Sequence, residues 1–158
     1  MDKEYESALL GLIESLPFVY LSTIDADGFP STRAMLNLRN KELYPHLPKL
    51  YNKEKNPFTV YLTTNTSSVK MKEVQRNDKV CLYFCDSPNY RGIMLRGQIQ
   101  TITDKRFKLR TWMEEWTHFY PGGILSEDFT LLRFIPDKLK SYGDLNVITE
   151  DIGQSDRK

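Results

Sequence analysis

Six short runs of β-type residues, each bounded by turn or helix-cap residues, limit the fold of this chain more than any other feature. The runs are rich in β-branched and aromatic residues, and several alternate apolar with polar positions, as half-buried strands do. A glycine inside the long fifth run, Gly97, predicts a bulge or a bend there. The runs cover residues 18–24, 31–38, 58–64, 80–85, about 93–103 and 129–135, and the last continues as an extended piece to about Tyr142.

Three helical segments separate or flank these runs. Apolar spacing predicts an amphipathic helix over 4–16 that ends at Pro17. Cap residues at 66–68 start a second helix that runs to about Arg76. Asp104 caps a third helix, whose inner face is predicted to contain Leu109, Trp112, Met113, Trp116 and Phe119. Since most strands are linked as antiparallel neighbours, the pattern predicts an α+β fold on a six-stranded antiparallel β-barrel, with an N-terminal helix and two further helices.

The length of 158 residues fits one domain, which we place at 1–144, followed by a polar tail at 145–158 that we expect to be frayed. The polar segment 40–56 contains two prolines and no sustained periodicity. It therefore predicts a surface insertion with at most one short helical turn.

Charge and cysteine content exclude several classes of function. With 22 basic and 21 acidic residues, the net charge of +1 gives no global attraction to nucleic acid or to an anionic membrane. The N-terminus lacks a secretory pattern and no stretch approaches the ~20 apolar residues of a membrane span, so we expect a cytoplasmic protein. Cys81 and Cys85 are expected to be reduced core thiols, and His46 and His118 lack the spacing of metal ligands, so no metal site is expected.

The segment 63–70 is the first candidate for a binding site, because a hydroxyl-rich turn here joins a predicted strand to a predicted helix. Free backbone N–H groups at a helix start, the hydroxyls and the charge of Lys70 together suit a phosphate. The alternative is an ordinary capped helix with a solvated lysine.

Two further features have both a functional and a structural interpretation. Arg33 lies in mid-strand, where its charge needs solvent or a partner, and a bound anion would serve. The alternative is an outward-facing arginine on a solvated barrel face. An aromatic cluster at 112–120 would either stack on a ligand or, as is commoner at this spacing, pack as helix core.

Taken in order, these segments resemble the pyridoxamine-phosphate oxidase-like superfamily of split barrels that bind flavin mononucleotide (FMN), and most closely its general stress protein branch. The similarity spans about residues 9–142. It is carried by the sequences at 27–35, 58–64, 95–97, 112–123 and 129–134, together with Ser67 and Lys70.

The resemblance implies that 1–144 is an FMN-binding split-barrel domain. It implies that Arg33 and Lys70 hold the flavin phosphate with Ser67 as a further donor. It also implies an obligate homodimer with flavin sites at the interface, where Trp112 or Trp116 of a partner chain would contribute. The full set of implied cofactor-binding residues is Arg33, Ala34, Met35, Leu36, Leu62, Thr63, Thr64, Ser67, Lys70, Trp112 and Trp116.

The family further implies an FMN-dependent oxidoreductase that exchanges electrons with a small-molecule donor or acceptor. The oxidase itself has a lysine where this chain has Leu38, and an arginine-histidine pair where this chain has 141–144. We therefore expect no activity on pyridoxamine phosphate. The alternatives are a non-catalytic flavin-binding stress protein and a flavin-free barrel that binds another small ligand or a protein.

Overall fold

A computed structural model describes residues 1–143 and 145–153 of the chain. Four helices lie in these residues: α1 (Lys3–Ser15), α2 (Pro48–Tyr51), α3 (Val69–Arg76) and α4 (Lys105–Thr111). The strands are β1 (Phe18–Ile24), β2 (Pro30–Leu36), β3 (Val60–Asn65), β4 (Lys79–Asp86), β5 (Arg91–Ile102), β6 (Phe129–Gly143) and β7 (Asn146–Asp151).

All paired strands are antiparallel and form one sheet in the order β2-β1-β4-β5-β6-β3, with β7 added along β6. The sheet curls until its two end strands, β2 and β3, come into contact. The predicted α+β fold, a six-stranded antiparallel split barrel with an N-terminal helix, is confirmed, and β7 is one strand more than the sequence analysis predicted.

Strand β6 holds this arrangement together because its partners change along its 15 residues. Its first half pairs with β3 and its second half with β7, while β5 pairs with both halves. The β5–β6 register shifts between Arg96 and Gly97, where Gly97 lies opposite Pro136. A proline cannot donate to the ladder and a bulge bends its strand, so β6 bends between its two halves. The bulge predicted at Gly97 is confirmed.

The barrel interior is the main apolar core, and α1 packs against it through Leu9 and Ile13. The buried side-chain amide of Asn37 fixes this helix, because its Nδ2 donates to the carbonyls of Ile13 and Leu16, each at 2.7 Å. These bonds satisfy carbonyl groups that the helix end leaves without partners. The strand residues at the centre of the core include Leu21, Leu62, Leu82, Phe84, Leu95 and Phe134.

A second core lies outside the barrel and is largely aromatic. It consists of Leu38, Tyr44, Leu47, Tyr61, Trp116, Tyr120, Phe129 and Leu131. Tyr44 and Leu47 come from the segment 40–56, so the expectation of a mere surface insertion is wrong. The segment is anchored because these two side chains fill the space beside β3 and β6.

The third predicted helix is shorter than expected. It ends as α4 at Thr111, and a separate 3-10 turn, Glu114–His118, follows. Leu109 and Phe119, two of the five positions on the predicted inner face, are exposed. Leu109 lies within α4 and is exposed there, whereas Trp116, in the 3-10 turn after the interruption, is buried in the second core.

The expectation of a frayed tail is wrong for residues 145–153, because β7 pairs with β6 over six residues. The segment contains three consecutive β-branched residues, Val147, Ile148 and Thr149, a strand signal inside a polar stretch. Residues 154–158 of the predicted tail lie outside the described residues.

Among the helices of residues 1–143 and 145–153, none combines the length and the apolar character that crossing a bilayer requires.

Substituting Gly97 tests the importance of the β6 bend. A Cβ here would lie 2.2 Å from the main-chain oxygen of Ile135 and 2.6 Å from the Cα of Pro136. We expect Gly97→Ala to lower the free energy of unfolding by about 2 to 3 kcal/mol, because backbone atoms must move. The control Gly11→Ala, with no atom within 4 Å of the new Cβ on exposed α1, should raise it by about 0.5 to 1 kcal/mol. Urea unfolding measures both, and an unchanged Gly97→Ala protein would contradict the proposed packing.

Candidate functional site

A groove of about 280 Å³ lies between β2 and β3, where the barrel is split. It is lined by Phe18, Ala34, Met35, Leu36, Thr63, Thr64, Asn65, Lys70, Phe119 and Tyr120. Its volume lies just below the range of about 300 to 1,000 Å³ that is usual for small-molecule pockets. A drug-sized ligand would therefore project beyond this chain's part of the groove.

The two strands that border the groove are both end strands of the sheet. Within the described residues, β2 pairs only with β1, and β3 pairs only with β6. An end strand presents a row of backbone N–H and C=O groups that the sheet does not use. The groove is therefore bordered by backbone donors and acceptors on both sides.

Lys70 supplies the positive charge of the groove. Its Nζ donates to Thr64 Oγ1 at 3.1 Å, and among residues 1–143 and 145–153 no carboxylate lies within 4.0 Å of it. Partial burial, and secondarily the charge of Arg33, lower the pKa of Lys70, while Glu73 acts in the opposite direction. The amine is thus a cation that a ligand anion would stabilise.

The hydroxyl that contacts the Lys70 amine belongs to Thr64, and a second hydroxyl, that of Ser68, lies beside it. Ser68 Oγ lies 3.4 Å from Thr64 Oγ1, the acceptor of the Lys70 bond. Ser67 is exposed, and its backbone N–H donates to Asp128 Oδ1 at 2.7 Å. That backbone bond is the main reason why the pKa of Asp128 is below its usual value. The backbone N–H of Ser67 is therefore already used by Asp128. The candidate position for an anion is beside Lys70, Thr64 and Ser68.

Arg33 has an internal partner that sequence analysis missed. It lies on the inward face of β2, and its Nη2 forms an ion pair with Glu73 Oε2 of α3 at 2.8 Å. The same Glu73 oxygen accepts from Thr23 Oγ1 at 2.6 Å. The alternative of an outward arginine on a solvated face is therefore wrong. A signal for this pair was present in the sequence, since an acid on the buried side of a predicted helix needs a cation.

The structure brings six of the eleven sequence-predicted residues together on the groove wall: Ala34, Met35, Leu36, Thr63, Thr64 and Lys70. Leu62 faces the barrel core with no exposed surface. Trp116, only 2% exposed, packs in the aromatic core with Trp112 beside it, their ring centroids 6.0 Å apart. Arg33 and Ser67 also lie off the groove wall, and their roles toward a ligand stay predictions.

Phe119 and Tyr120 form an aromatic wall that the sequence analysis placed with the core cluster. Phe119 is about half exposed, whereas Tyr120 is buried and packs on Phe129 with ring centroids 4.9 Å apart. Burial raises the pKa of Tyr120, so its hydroxyl stays protonated at neutral pH. The wall is rigid on the Tyr120 side because that ring belongs to the second core.

A larger cleft, of about 590 Å³, lies elsewhere and is lined in part by Thr23, Lys79, Cys81, Arg96 and Asp137. Its Arg96 already forms an ion pair with Asp137 at 3.0 Å. Burial raises the pKa of the Cys81 thiol, so the thiol is not activated. The smaller groove differs in being bordered by two open strand edges, so we take it as the candidate functional site.

Comparison with known proteins agrees with this fold. Residues 5–143 match the family model described as pyridoxamine 5'-phosphate oxidase, so the chain belongs to that family. It also resembles a solved protein of Clostridium acetobutylicum related to general stress protein 26 of B. subtilis, of the pyridoxinephosphate oxidase family. The TM-score is 0.78 at 30% identity, over 96% of this chain and 97% of the other.

General stress protein 26 of Bacillus anthracis str. Sterne is similar in fold, with a TM-score of 0.68 at 16% identity over 93% of this chain and 99% of that one. No curated protein matches the chain in the corresponding sequence search. The match to the general stress protein branch, expected from the sequence, is confirmed.

Proposed function

We propose that this protein binds FMN in the groove between β2 and β3 and acts as an FMN-dependent oxidoreductase. The observation that carries the proposal is the position of Lys70, an uncompensated cation at a groove bordered by two open strand edges. Family membership supports the same ligand, because the pyridoxamine 5'-phosphate oxidase family is a family of flavin-binding barrels.

The chemistry of the groove fits the parts of FMN. Lys70, Thr64 and Ser68 would hold the phosphate, since an ammonium and two hydroxyls are suitable donors. The open edges of β2 and β3 would meet the polar edge of the flavin ring, which presents both donors and acceptors. Leu36, Tyr120 and their apolar neighbours would cover its hydrophobic part.

Bound flavin would supply hydride or electron transfer, and the chain would supply binding and orientation. Lys70 and Tyr120 are the titratable residues on the groove wall, and the first is assigned to the phosphate. Tyr120 stays protonated and is a hydrogen-bond donor without a base of its own. The wall of this chain is therefore compatible both with hydride transfer by the flavin and with the second candidate function, flavin binding without turnover.

We further propose that the working unit is a homodimer whose second copy completes the groove. The outward faces of β1 and β4 present a row of aromatic residues, of which Phe18 is 51% and Tyr20 41% exposed. Tyr20 lies beside Tyr83 of β4 in the ladder, and Met94 of β5 follows on the same face. Such a contiguous apolar face is typical of a protein interface. Since Phe18 also lines the groove, a partner on this face would cover the part of the ligand that this chain leaves open.

Tyr20→Glu tests the dimer, because it places a charge at the centre of the proposed interface. We expect it to weaken association by about 2 kcal/mol or more, the effect of losing a central aromatic contact. Sedimentation velocity at several concentrations measures this, with Tyr90→Glu, on the exposed β4–β5 turn, as the matched control. A wild-type protein that is monomeric at micromolar concentration would contradict the shared site.

Lys70→Ala tests the position of the phosphate. We expect about ten- to hundred-fold weaker FMN binding, the loss that follows removal of a charged hydrogen-bond donor. Riboflavin has no phosphate, so its affinity should stay unchanged and the two flavins should become more alike. Fluorescence titration of both flavins measures the effect. Lys72→Ala, on the exposed side of the same helix, is the control, and equal FMN affinity in wild type and Lys70→Ala would exclude the assignment.

Steady-state kinetics separates the two candidate functions. If the protein is an oxidoreductase, reduced nicotinamide should reduce the bound flavin, with turnover at about 1 s⁻¹ or faster once an acceptor is present. Pyridoxamine phosphate should not be converted. A flavin spectrum without reduction by any donor would support the non-catalytic function, and rapid aldehyde formation from pyridoxamine phosphate would contradict our expectation for that substrate.

A further inference from the structure

The positive charges of the chain are unevenly placed. Six exposed lysine and arginine side chains lie on two segments, the helix α4 and residues 49–55, and none of them forms an ion pair in the part of the chain that the structure describes. Since the net charge of the whole chain is only +1, its remaining residues are together net acidic. We call the six side chains the basic face: Lys49, Lys53, Lys55, Lys105, Arg106 and Arg110.

The two segments of the basic face are neighbours, because both pack on the same tyrosine. The ring of Tyr61, on the outer side of β3, has its centroid 5.2 Å from that of Tyr51 and 5.0 Å from that of Phe107. Tyr51 belongs to the first segment and Phe107 to α4. The cations of both segments therefore lie around one part of the surface.

Two acids lie in or beside these segments, and neither pairs with the basic face. The side chain of Glu54 is mostly buried and forms an ion pair with Arg133 of β6. Asp104 caps α4, where its Oδ1 accepts hydrogen bonds from the backbone N–H groups of Arg106 and Phe107 at 2.8 and 3.3 Å. A cluster of exposed like charges creates a local positive potential, which attracts an anionic partner.

One side of α4 combines these cations with an exposed apolar residue. Lys105, Arg106 and Arg110 are exposed together with Leu109, which is 59% exposed. A leucine among cations on a helix surface suits an anionic bilayer, where the cations meet lipid phosphates and the leucine enters the boundary of the acyl chains. A nucleic acid would use the cations alone, because its backbone offers phosphates and no apolar phase.

The basic face lies away from the surface that we assign to the homodimer. The strand order is β2-β1-β4-β5-β6-β3 and its two ends meet, so β1 and β4 lie across the barrel from β6 and β3. The segments of the basic face cover the outer side of β3, through Tyr61. A second copy on β1 and β4 would therefore leave the basic face exposed.

We propose that the basic face docks this protein on the surface of an anionic phospholipid bilayer, with Leu109 as its apolar contact. The cations act together as one patch, and salt weakens the contact because the charges are exposed. Docking is reversible, since a single leucine buries little apolar area. It does not require flavin, because no residue of the basic face lines the groove.

Vesicle sedimentation with the purified full chain tests the docking. Vesicles with about 30% phosphatidylglycerol in phosphatidylcholine should carry the protein into the pellet at about 50 mM salt. Vesicles of phosphatidylcholine alone should not, and about 300 mM salt should weaken binding to the anionic vesicles about tenfold or more. Equal binding to both kinds of vesicle, or no binding to either, would overturn the inference.

The double variant Arg106→Glu/Arg110→Glu assigns the binding to this face. It should bind the anionic vesicles about thirtyfold more weakly than wild type, or less. Lys72→Glu/Arg76→Glu is the matched control, because it reverses two exposed cations of α3 at the same spacing, neither of which forms an ion pair in the described residues. The control should stay within about threefold of wild type. An equal loss in both variants would show attraction by net charge alone, which contradicts the assignment.

Leu109→Ser distinguishes a bilayer from a nucleic acid. On a bilayer, loss of the apolar contact should weaken binding about five- to tenfold without changing its salt dependence. Fluorescence anisotropy with a labelled single-stranded RNA of about 20 nucleotides measures the other partner, with a strong dependence on salt if it binds. RNA binding without vesicle binding, or vesicle binding that Leu109→Ser leaves unchanged, would overturn the inference. All substituted side chains are exposed, and thermal unfolding checks that each variant is folded.

Discussion

The end strands β2 and β3 of one curled sheet lie side by side but form no ladder with each other. The site depends on this unpaired junction. The sheet uses one edge of each strand, through β1 and β6, and leaves the other edge open. The bend of β6 at the Gly97–Pro136 position lets a single long strand pair with β3 in one half and with β7 in the other. If β2 and β3 were hydrogen-bonded to each other, the barrel would be closed and the groove would have neither its backbone donors and acceptors nor its volume.

The aromatic wall of the groove is supported by packing that lies outside the barrel. Tyr120 lines the groove and also packs on Phe129 in the second core, where Tyr44 contacts Trp116 with ring centroids 6.1 Å apart. The segment 40–56 therefore contributes indirectly to the site, by filling the core that supports its aromatic wall. A binding surface with rigid supporting contacts loses less conformational entropy when a ligand binds.

The charges around the groove follow from burial. A carboxylate as deeply buried as Glu73 requires a cation, and Arg33 on the inward face of β2 meets this requirement. Lys70 has no such carboxylate within ion-pair distance in the described residues, so it is the charge that remains for a ligand. Arg33 thus has a carboxylate partner in its own chain and Lys70 has none in the described residues, a difference that the sequence does not show.

The sequence by itself determined the elements and their order, because alternation, helical spacing and cap residues are local signals: β1 to β5, α1, α3 and the bulge at Gly97 all lie where those signals place them. The resemblance to the family, together with the strand and cap patterns, named six residues that line the groove. Only the tertiary structure decided that Arg33 pairs with Glu73, 40 residues away, that Ser68 lies beside the Thr64 hydroxyl, and that Trp116 packs inward. It likewise decided that Tyr44, Leu47 and β7 join the fold. These outcomes depend on which side chains meet across long sequence separations. Burial and charge pairing decide those contacts, and no local sequence pattern contains that information.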